Sequence, residues 1–257
     1  MRYILKPFQF IYCIYAIIIF VAIMLLIFPF AIIASFFGRI KGGNFIIRLC
    51  TFWADLWFPL VFILHKKIYE TPHDKKRSYI FLSNHISYLD AAILVKAIRQ
   101  PIRPLGKVEM SKVPVFGFIY RKAIVTVDRG NAANRAHSVR LLRSILGKGI
   151  SVVVFPEGTF NMGTTPLKEF YDGAFRVAIE TQTPIKPVLF LDAYRRMSYE
   201  SIFSMTPGRS RILYLAEIPV AGYTTADAGR LKDEVYAIME KKLIEYDAGW
   251  RKPSKSP

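Results

Sequence analysis

The residues of this sequence that are best suited to acid–base chemistry lie in the segment 84–90, which reads NHISYLD. His85 and Asp90 are five positions apart, so on a regular helix their side chains would point about 140° away from each other. They can meet if His85 lies in a loop and a helix begins after it. Ser87, a favourable N-cap residue with Asp90 three positions later, favours this arrangement. We therefore predict that Asp90 turns back and orients the imidazole of His85.

A histidine that a carboxylate holds in one tautomer can remove a proton from a hydroxyl group near neutral pH. The sequence contains no G-x-S-x-G segment of the kind that presents a nucleophilic serine in hydrolases. We therefore expect the hydroxyl group to belong to a substrate. The alternative is that Asp90 only caps a helix and that His85 is an ordinary polar loop residue.

The segments around this motif alternate between apolar runs of strand length and runs with helical periodicity. The strand-like runs are residues 79–83, 124–127, 152–155 and 187–191. The helical runs are residues 90–99, 134–146, 173–181 and 226–245. Such alternation predicts an α/β fold in which a mixed sheet is flanked by helices. Because three of these strands end in polar loops, we expect the site at the carboxyl edge of the sheet.

The N-terminal quarter of the chain is strongly apolar. Residues 8–37 carry no charge and are long enough to cross or deeply enter a bilayer. We expect this segment to be retained, as a helix over residues 8–28 that changes direction at Pro29 and continues over residues 30–37. A second apolar segment, residues 45–64, contains charged residues and two tryptophans, which favours a helix at the membrane interface. Because basic residues flank both sides of the apolar segments, a membrane-embedded helical hairpin in one leaflet is favoured over a crossing. A buried core hairpin of a soluble protein is the alternative.

Composition is consistent with a membrane-associated helical region, residues 1–64, followed by a polar domain, residues 65–257. The chain has 36 Lys and Arg against 19 Asp and Glu, a net charge of +17, which favours a polyanionic partner such as an anionic membrane surface. No helix-turn-helix or RNP-like segment supports nucleic acid as that partner. Two cysteines without Cys-x-x-Cys spacing exclude a disulfide framework and offer no metal site. We expect the chain at the inner (cytoplasmic) membrane, with the polar domain on the cytoplasmic side.

With these segments the sequence resembles the glycerophospholipid acyltransferase family, over about residues 65–220. The family's blocks are N-H-x-S-x-x-D, a Lys-x-Glu stretch leading through Pro-x-x-Gly to an Arg after a strand, F-P-E-G-T, and a late Pro-Val. The matching segments are, in order, residues 84–90, Lys107 with Glu109, residues 114–117, Arg129, residues 155–159, and Pro187 with Val188.

The resemblance implies an enzyme, an acyltransferase whose catalytic domain is residues 65–257. It would move a fatty acyl group from an acyl thioester, acyl carrier protein or coenzyme A, to the free hydroxyl of a lysolipid in the membrane. The acceptor that it implies first is 1-acylglycerol-3-phosphate, with phosphatidic acid as the product. Neither a metal nor a cofactor is implied beyond the thioester co-substrate. The implied site consists of a general base and its orienting acid, His85 and Asp90, and of the substrate-binding residues Asn84, Lys107, Arg129, Glu157, Gly158 and Thr159.

Two positions depart from the family pattern, and both lose a positive charge. Phe160 stands where the family commonly has an arginine after F-P-E-G-T, and Tyr171 stands where it commonly has a lysine. The cations that could replace them are Lys168, Arg176, Arg121 and Lys122. Because charge-assisted hydrogen bonds are the strong ones, a lyso-aminolipid of the ornithine or glycine type stays open as the acceptor. From another class, a basic membrane-surface binding protein without catalysis also stays open.

Overall fold

The computed structural model describes residues 5–127 and 132–252. At its N-terminus two apolar helices, α1 (Leu5–Ser35) and α2 (Gly43–Leu60), are joined by a π-helical turn, Gly38–Gly42. By length and composition α1 can cross a membrane, and no other helix in the described ranges meets both criteria.

Two tryptophans of α2 form hydrogen bonds to the backbone of α1. The indole N–H of Trp57 donates to the carbonyl of Ala16 at 2.9 Å, and that of Trp53 donates to the carbonyl of Phe20 at 3.2 Å. The later residue of α2 contacts the earlier residue of α1, so the helices are antiparallel and form a hairpin. α1 continues through Pro29 to Ser35, so the proline does not end the helix.

The described residues after α2 form a seven-stranded sheet with helices on both faces. The strands are β1 (Ile63–Tyr69), β2 (Ile80–Leu82), β3 (Ile102–Lys107), β4 (Val125–Val127), β5 (Ser151–Val154), β6 (Ile185–Phe190) and β7 (Gly208–Tyr214). The remaining helices are α3 (Asp90–Ala97), α4 (Phe116–Ala123), α5 (Ala132–Leu146), α6 (Gly173–Thr181), α7 (Ala193–Arg196) and α8 (Ala228–Glu245).

The strand order is β1-β7-β6-β2-β5-β3-β4. Neighbouring strands are parallel except β6 and β7, which are antiparallel. The sheet is therefore mixed, as predicted. β2 lies between β5 and β6 and runs parallel to both, so the loops that follow these strands emerge at the same edge.

Side-chain alternation along the central strands separates two hydrophobic cores. Phe81 of β2 packs into the core that also contains the buried residues of α1, α2 and α3. Its neighbours Ile80 and Leu82 point to the opposite face, where α5, α6 and α8 pack. This period of two is the reason that one short strand can hold helices on both faces of the sheet.

The expected strands and helices are present, and the described residues contain five further strands and α-helices that sequence reasoning did not find: β1, β3, α4, α7 and β7. The prediction that residues 45–64 form one helical segment was wrong at its end. α2 ends at Leu60, Phe62 has a left-handed backbone with φ of 55°, and Ile63 begins β1. The apolar run continues across this boundary, so composition alone does not reveal the change from helix to strand.

Candidate active site

The NHISYLD and F-P-E-G-T segments follow β2 and β5, which are parallel neighbours in the centre of the sheet. Parallel pairing brings their carboxyl ends together, and a hydrogen bond from the Asn161 backbone N–H to the His85 carbonyl, 2.8 Å long, ties the two loops to each other. The two motifs therefore form one site, at the edge of the sheet where the sequence predicted it.

His85 and Asp90 are in direct contact within this site. The imidazole Nδ1 lies 2.8 Å from Asp90 Oδ2. The same oxygen accepts hydrogen bonds from the backbone N–H groups of Ile86, at 2.7 Å, and Ser87, at 2.9 Å. A carboxylate fixed by two backbone donors requires the proton of the imidazole to be on Nδ1, which leaves Nε2 able to accept a proton. The Asp90 side chain is fully buried, whereas that of His85 is 24% exposed and can reach a substrate.

The helix that carries Asp90 begins differently from the prediction. α3 starts at Asp90 itself, with Leu89 in place of Ser87 at the N-cap position. Ser87 Oγ accepts a hydrogen bond from the Leu89 N–H at 2.9 Å and donates one to the Met197 carbonyl at 2.5 Å. Its hydroxyl is therefore used to fold the loop, while the Asp90 carboxylate still reaches back to the Ser87 N–H as in a capping box.

Glu157 of F-P-E-G-T is buried beneath the His85 loop and binds two backbone N–H groups. Its Oε1 accepts from His85 at 2.7 Å, and its Oε2 accepts from Lys168 at 2.8 Å. Burial raises the pKa of Glu157 to about 8, although the two backbone donors act in the opposite direction. Both carboxylate oxygens are used within the protein, so in this structure Glu157 positions the histidine loop, and its contact with an acceptor stays a prediction.

Aromatic rings surround the imidazole on two sides. The Phe155 ring stacks on His85 with centroids 4.2 Å apart and an interplanar angle of 19°. The Phe160 ring contacts the imidazole edge-on at 4.4 Å, and Tyr88 packs against Phe160 at 5.0 Å. Phe160, the residue in place of the family's usual arginine, therefore supplies packing against His85 and no positive charge.

Asn84 precedes the histidine and is also buried. Its side-chain amide donates to the carbonyl of Phe190 at 3.1 Å and accepts from the N–H of the same residue at 2.8 Å. This pair of hydrogen bonds joins the end of β2 to the end of β6. Asn84 thus holds the loop in place, and its predicted contact with substrate stays a prediction.

The other predicted binding residues lie around this centre. Lys107 is the last residue of β3, which adjoins β5, and its side chain is exposed. Gly158 has a left-handed backbone with φ of 73°, a conformation that favours glycine. Thr159 Oγ1 accepts a hydrogen bond from Lys168 Nζ at 3.0 Å. Arg129 lies outside the described residues. Their roles in substrate binding stay predictions.

Beside the F-P-E-G-T loop lies an open cleft of about 610 Å³. Its walls come from the segment 160–170 and from α8, which contributes Lys232, Asp233 and Tyr236. Phe160 and Asn161 line this cleft, and both also contact His85. Within the described ranges no three His, Cys, Asp or Glu side chains come together as metal ligands.

Sequence reasoning missed the residues whose importance arises from contacts across the fold. The ring of Phe155, the backbone of Phe190 and the ammonium group of Lys168 all approach the site. Phe155 belongs to the F-P-E-G-T motif, so a signal was present for it. Lys168 appeared only among the cations that could replace a missing charge, and its position relative to Thr159 depends on the path of the loop.

Known proteins are similar to this chain in sequence and in structure. The acyltransferase family profile matches residues 64–191. The 1-acyl-sn-glycerol-3-phosphate acyltransferase of Haemophilus influenzae is 28% identical over 200 residues, which cover 76% of this chain and 80% of the relative. A probable 1-acyl-sn-glycerol-3-phosphate acyltransferase of Mycoplasma pneumoniae is 30% identical over 182 residues, 66% of this chain and 68% of the relative.

The crystal structure of the 1-acyl-sn-glycerophosphate acyltransferase of Thermotoga maritima has the same fold. It superposes with a TM-score of 0.73 at 20% identity, covering 98% of this chain and all of that one. Because nearly the whole chain is covered, both the sheet and the N-terminal helices lie within the compared region. On the profile match and the sequence relatives, this chain belongs to the acyltransferase family.

Proposed function

We propose that this enzyme transfers a fatty acyl group from an acyl thioester to the free hydroxyl group of a lysolipid, with 1-acylglycerol-3-phosphate as the acceptor and phosphatidic acid as the product. The observation that carries the proposal is the contact of 2.8 Å between His85 Nδ1 and the buried Asp90 carboxylate, at the carboxyl edge of the sheet. The side chain of His85 is partly exposed to solvent at this edge. The relatives named for 1-acyl-sn-glycerol-3-phosphate support this choice of acceptor. The donor is acyl carrier protein or coenzyme A charged with the fatty acid.

In the proposed mechanism His85 Nε2 takes the proton of the acceptor hydroxyl as its oxygen attacks the thioester carbonyl carbon. The carbon–sulfur bond of the tetrahedral intermediate then breaks and a thiolate leaves. The imidazolium gives the proton to this thiolate, so the products are an ester and a free thiol. Asp90 holds the productive tautomer and stabilises the imidazolium by its charge. The protein needs no nucleophile of its own, because the acceptor supplies it.

A membrane location suits this chemistry on energetic grounds. Lifting an acyl chain of about sixteen carbons into water costs roughly 12 kcal/mol, at about 0.8 kcal/mol per methylene. An enzyme seated on the bilayer can bind the head group while the chain stays in hydrocarbon. α1 supports this location, because it is long and apolar enough to cross a membrane and leaves residues such as Ile18 and Leu26 about 60% exposed. We place the enzyme at the cytoplasmic membrane, with the sheet on the cytoplasmic side and membrane lipids as its partners.

The test is acyl transfer by the purified full-length protein. The donors are acyl carrier protein and coenzyme A, each charged with a labelled fatty acyl group. The acceptors are 1-acylglycerol-3-phosphate, ornithine-type and glycine-type lyso-aminolipids, and monoacylglycerol, with products separated by thin-layer chromatography. We expect labelled phosphatidic acid from the wild type and none from His85→Ala, whose melting temperature and membrane binding should match the wild type. Near wild-type transfer by His85→Ala would remove the general-base role. Transfer only to a lyso-aminolipid would replace the acceptor.

A further inference from the structure

The candidate active site has no cation at the position after F-P-E-G-T. Phe160 occupies that position and packs its ring against His85 at 4.4 Å. A phosphomonoester acceptor is doubly charged near neutral pH, and its binding depends on charge-assisted hydrogen bonds. If the acceptor carries a phosphate, another cation close to His85 has to meet it.

Lys168 is a cation on the wall of the cleft beside the His85 loop, and hydrogen bonds hold both its backbone and its ammonium group. Its backbone N–H donates to Glu157 Oε2 at 2.8 Å, and its Nζ donates to Thr159 Oγ1 at 3.0 Å. The other oxygen of the same carboxylate, Oε1, accepts from the backbone N–H of His85 at 2.7 Å. One buried carboxylate thus fixes the backbone of the base and the backbone of the lysine relative to each other.

The charge of Lys168 is available to a ligand. Lys168 forms no ion pair with any carboxylate of the described residues, and its ammonium group contacts a neutral hydroxyl, that of Thr159. Lys232, on the other wall of the cleft, lies 3.4 Å from Asp172 and 3.8 Å from Asp233, so its charge is partly neutralised. Of the two lysines that line the cleft, Lys168 is therefore the better anion-binding group.

The cleft has room for a small phosphorylated head group and is next to the base. Its volume is about 610 Å³, and Lys168, Phe160 and Asn161 lie on its walls. Phe160 touches the imidazole, and the Asn161 N–H binds the His85 carbonyl. In a glycerol phosphate the acceptor hydroxyl is only a few bonds from the phosphorus. In a thioester donor the reacting carbonyl is separated from the nearest phosphate by the whole pantetheine arm, so a cation on a cleft that adjoins the base fits the acceptor.

We propose that Lys168 binds the phosphate group of the acceptor in this cleft and replaces the charge that Phe160 does not supply. The inference rests on the proposed function, since it assumes a phosphorylated acceptor. Glu157 sets the separation between the groups that meet the hydroxyl end and the phosphate end of the acceptor, because it anchors the backbones of both His85 and Lys168.

The test compares Lys168→Gln and Lys168→Arg with wild type on two acceptors, 1-acylglycerol-3-phosphate and monoacylglycerol, in the same mixed micelles and with the same thioester. We expect Lys168→Gln to raise the KM for the phosphorylated acceptor roughly ten- to hundredfold, the effect of losing a charge-assisted hydrogen bond. We expect no change in kcat/KM for monoacylglycerol or in the KM for the donor. Lys168→Arg should restore most of the affinity. The control is Lys148→Gln, a change at an exposed lysine that precedes β5, whereas the F-P-E-G-T loop follows this strand, and it should behave as wild type.

The outcomes separate this inference from the proposed function. If the wild type does not acylate 1-acylglycerol-3-phosphate, the proposed function is wrong and the inference falls with it. If the wild type does acylate it, three results overturn the inference alone: an unchanged KM in Lys168→Gln, an equal loss on both acceptors, or an increase confined to the KM of the donor. An equal loss on both acceptors would assign Lys168 to the support of the His85 loop.

Discussion

Replacing Asp90 by asparagine tests how the carboxylate acts, because the structure fixes what the amide can do. Asp90 Oδ2 accepts three hydrogen bonds, from His85 Nδ1 and from the backbone N–H groups of Ile86 and Ser87. The side-chain oxygen of an asparagine can accept all three of these hydrogen bonds. If the amide rotated by 180°, its NH₂ group would face the same donors and could accept from none of them. The two backbone donors therefore hold the amide oxygen toward the imidazole, and the tautomer with the proton on Nδ1 is preserved.

The expected loss of activity in Asp90→Asn is consequently moderate. What disappears is the negative charge that stabilises the imidazolium in the proposed mechanism, and a hydrogen bond to a charged group contributes about 1–2 kcal/mol more than a neutral one. That difference lowers kcat roughly 5- to 30-fold. The fold is also destabilised, because the new NH₂ group takes the place of Oδ1, which is buried and has no hydrogen-bond partner among the described residues. An unpaired buried amide costs about 1–3 kcal/mol of the free energy of unfolding.

The assay is initial-rate kinetics of Asp90→Asn and His85→Ala with saturating acceptor, together with thermal melts of both variants. A wild-type kcat in Asp90→Asn would show that the carboxylate charge does not contribute. A loss as complete as that of His85→Ala, in a variant that is still folded at the assay temperature and melts cooperatively above it, would show that the amide does not hold the tautomer. Either result would refute the reasoning.

Three further predictions concern pH, the membrane and the hairpin. Burial raises the pKa of Glu157 from 4.5 to about 8, so as pH rises this group ionises in the unfolded chain before it ionises in the folded protein. The stability that Glu157 contributes is therefore fully present below pH 4.5, decreases as pH rises, and is lost at about pH 8. Denaturant titrations should show a shallower decline over this window in Glu157→Gln, and an identical decline would contradict the assignment. Replacing exposed Ile18 and Leu26 of α1 by lysine should release the protein from phosphatidylglycerol vesicles in a sedimentation assay, since each lysine costs about 3 kcal/mol at the centre of a membrane helix; retention equal to that of wild type would argue against insertion of this face. Gly42→Ala should lower the free energy of unfolding by about 1–3 kcal/mol, because its Cβ would lie 2.2 Å from the Ala34 carbonyl oxygen, whereas Gly229→Ala, with open space around it, should not destabilise the protein. Equal melting temperatures for these two glycine variants would contradict the close approach of the chain at Gly42.

The contact between His85 and Asp90, the alternating strands and helices, and the apolar N-terminus could all be predicted because each depends on residues close together in sequence. Asp90 reaches His85 across one loop, and its contacts involve residues within that loop. Strand and helix periodicity likewise repeats over short segments. The elements that escaped prediction, such as β1 and β3, carry polar residues, a proline or a glycine within short runs, and pairing with neighbouring strands keeps them extended.

Only the tertiary structure decided which residues surround His85 and Asp90. Glu157 meets the His85 N–H across 72 positions, and Asn84 meets Phe190 across 106. Lys168 comes to Thr159 because the intervening loop folds back, which no spacing rule predicts. The sequence by itself therefore determined that the side chains of His85 and Asp90 meet. Long-range packing determined their distances, the burial that raises the pKa of Glu157, and the cation that lies beside them, because these depend on which distant segments the fold brings into contact.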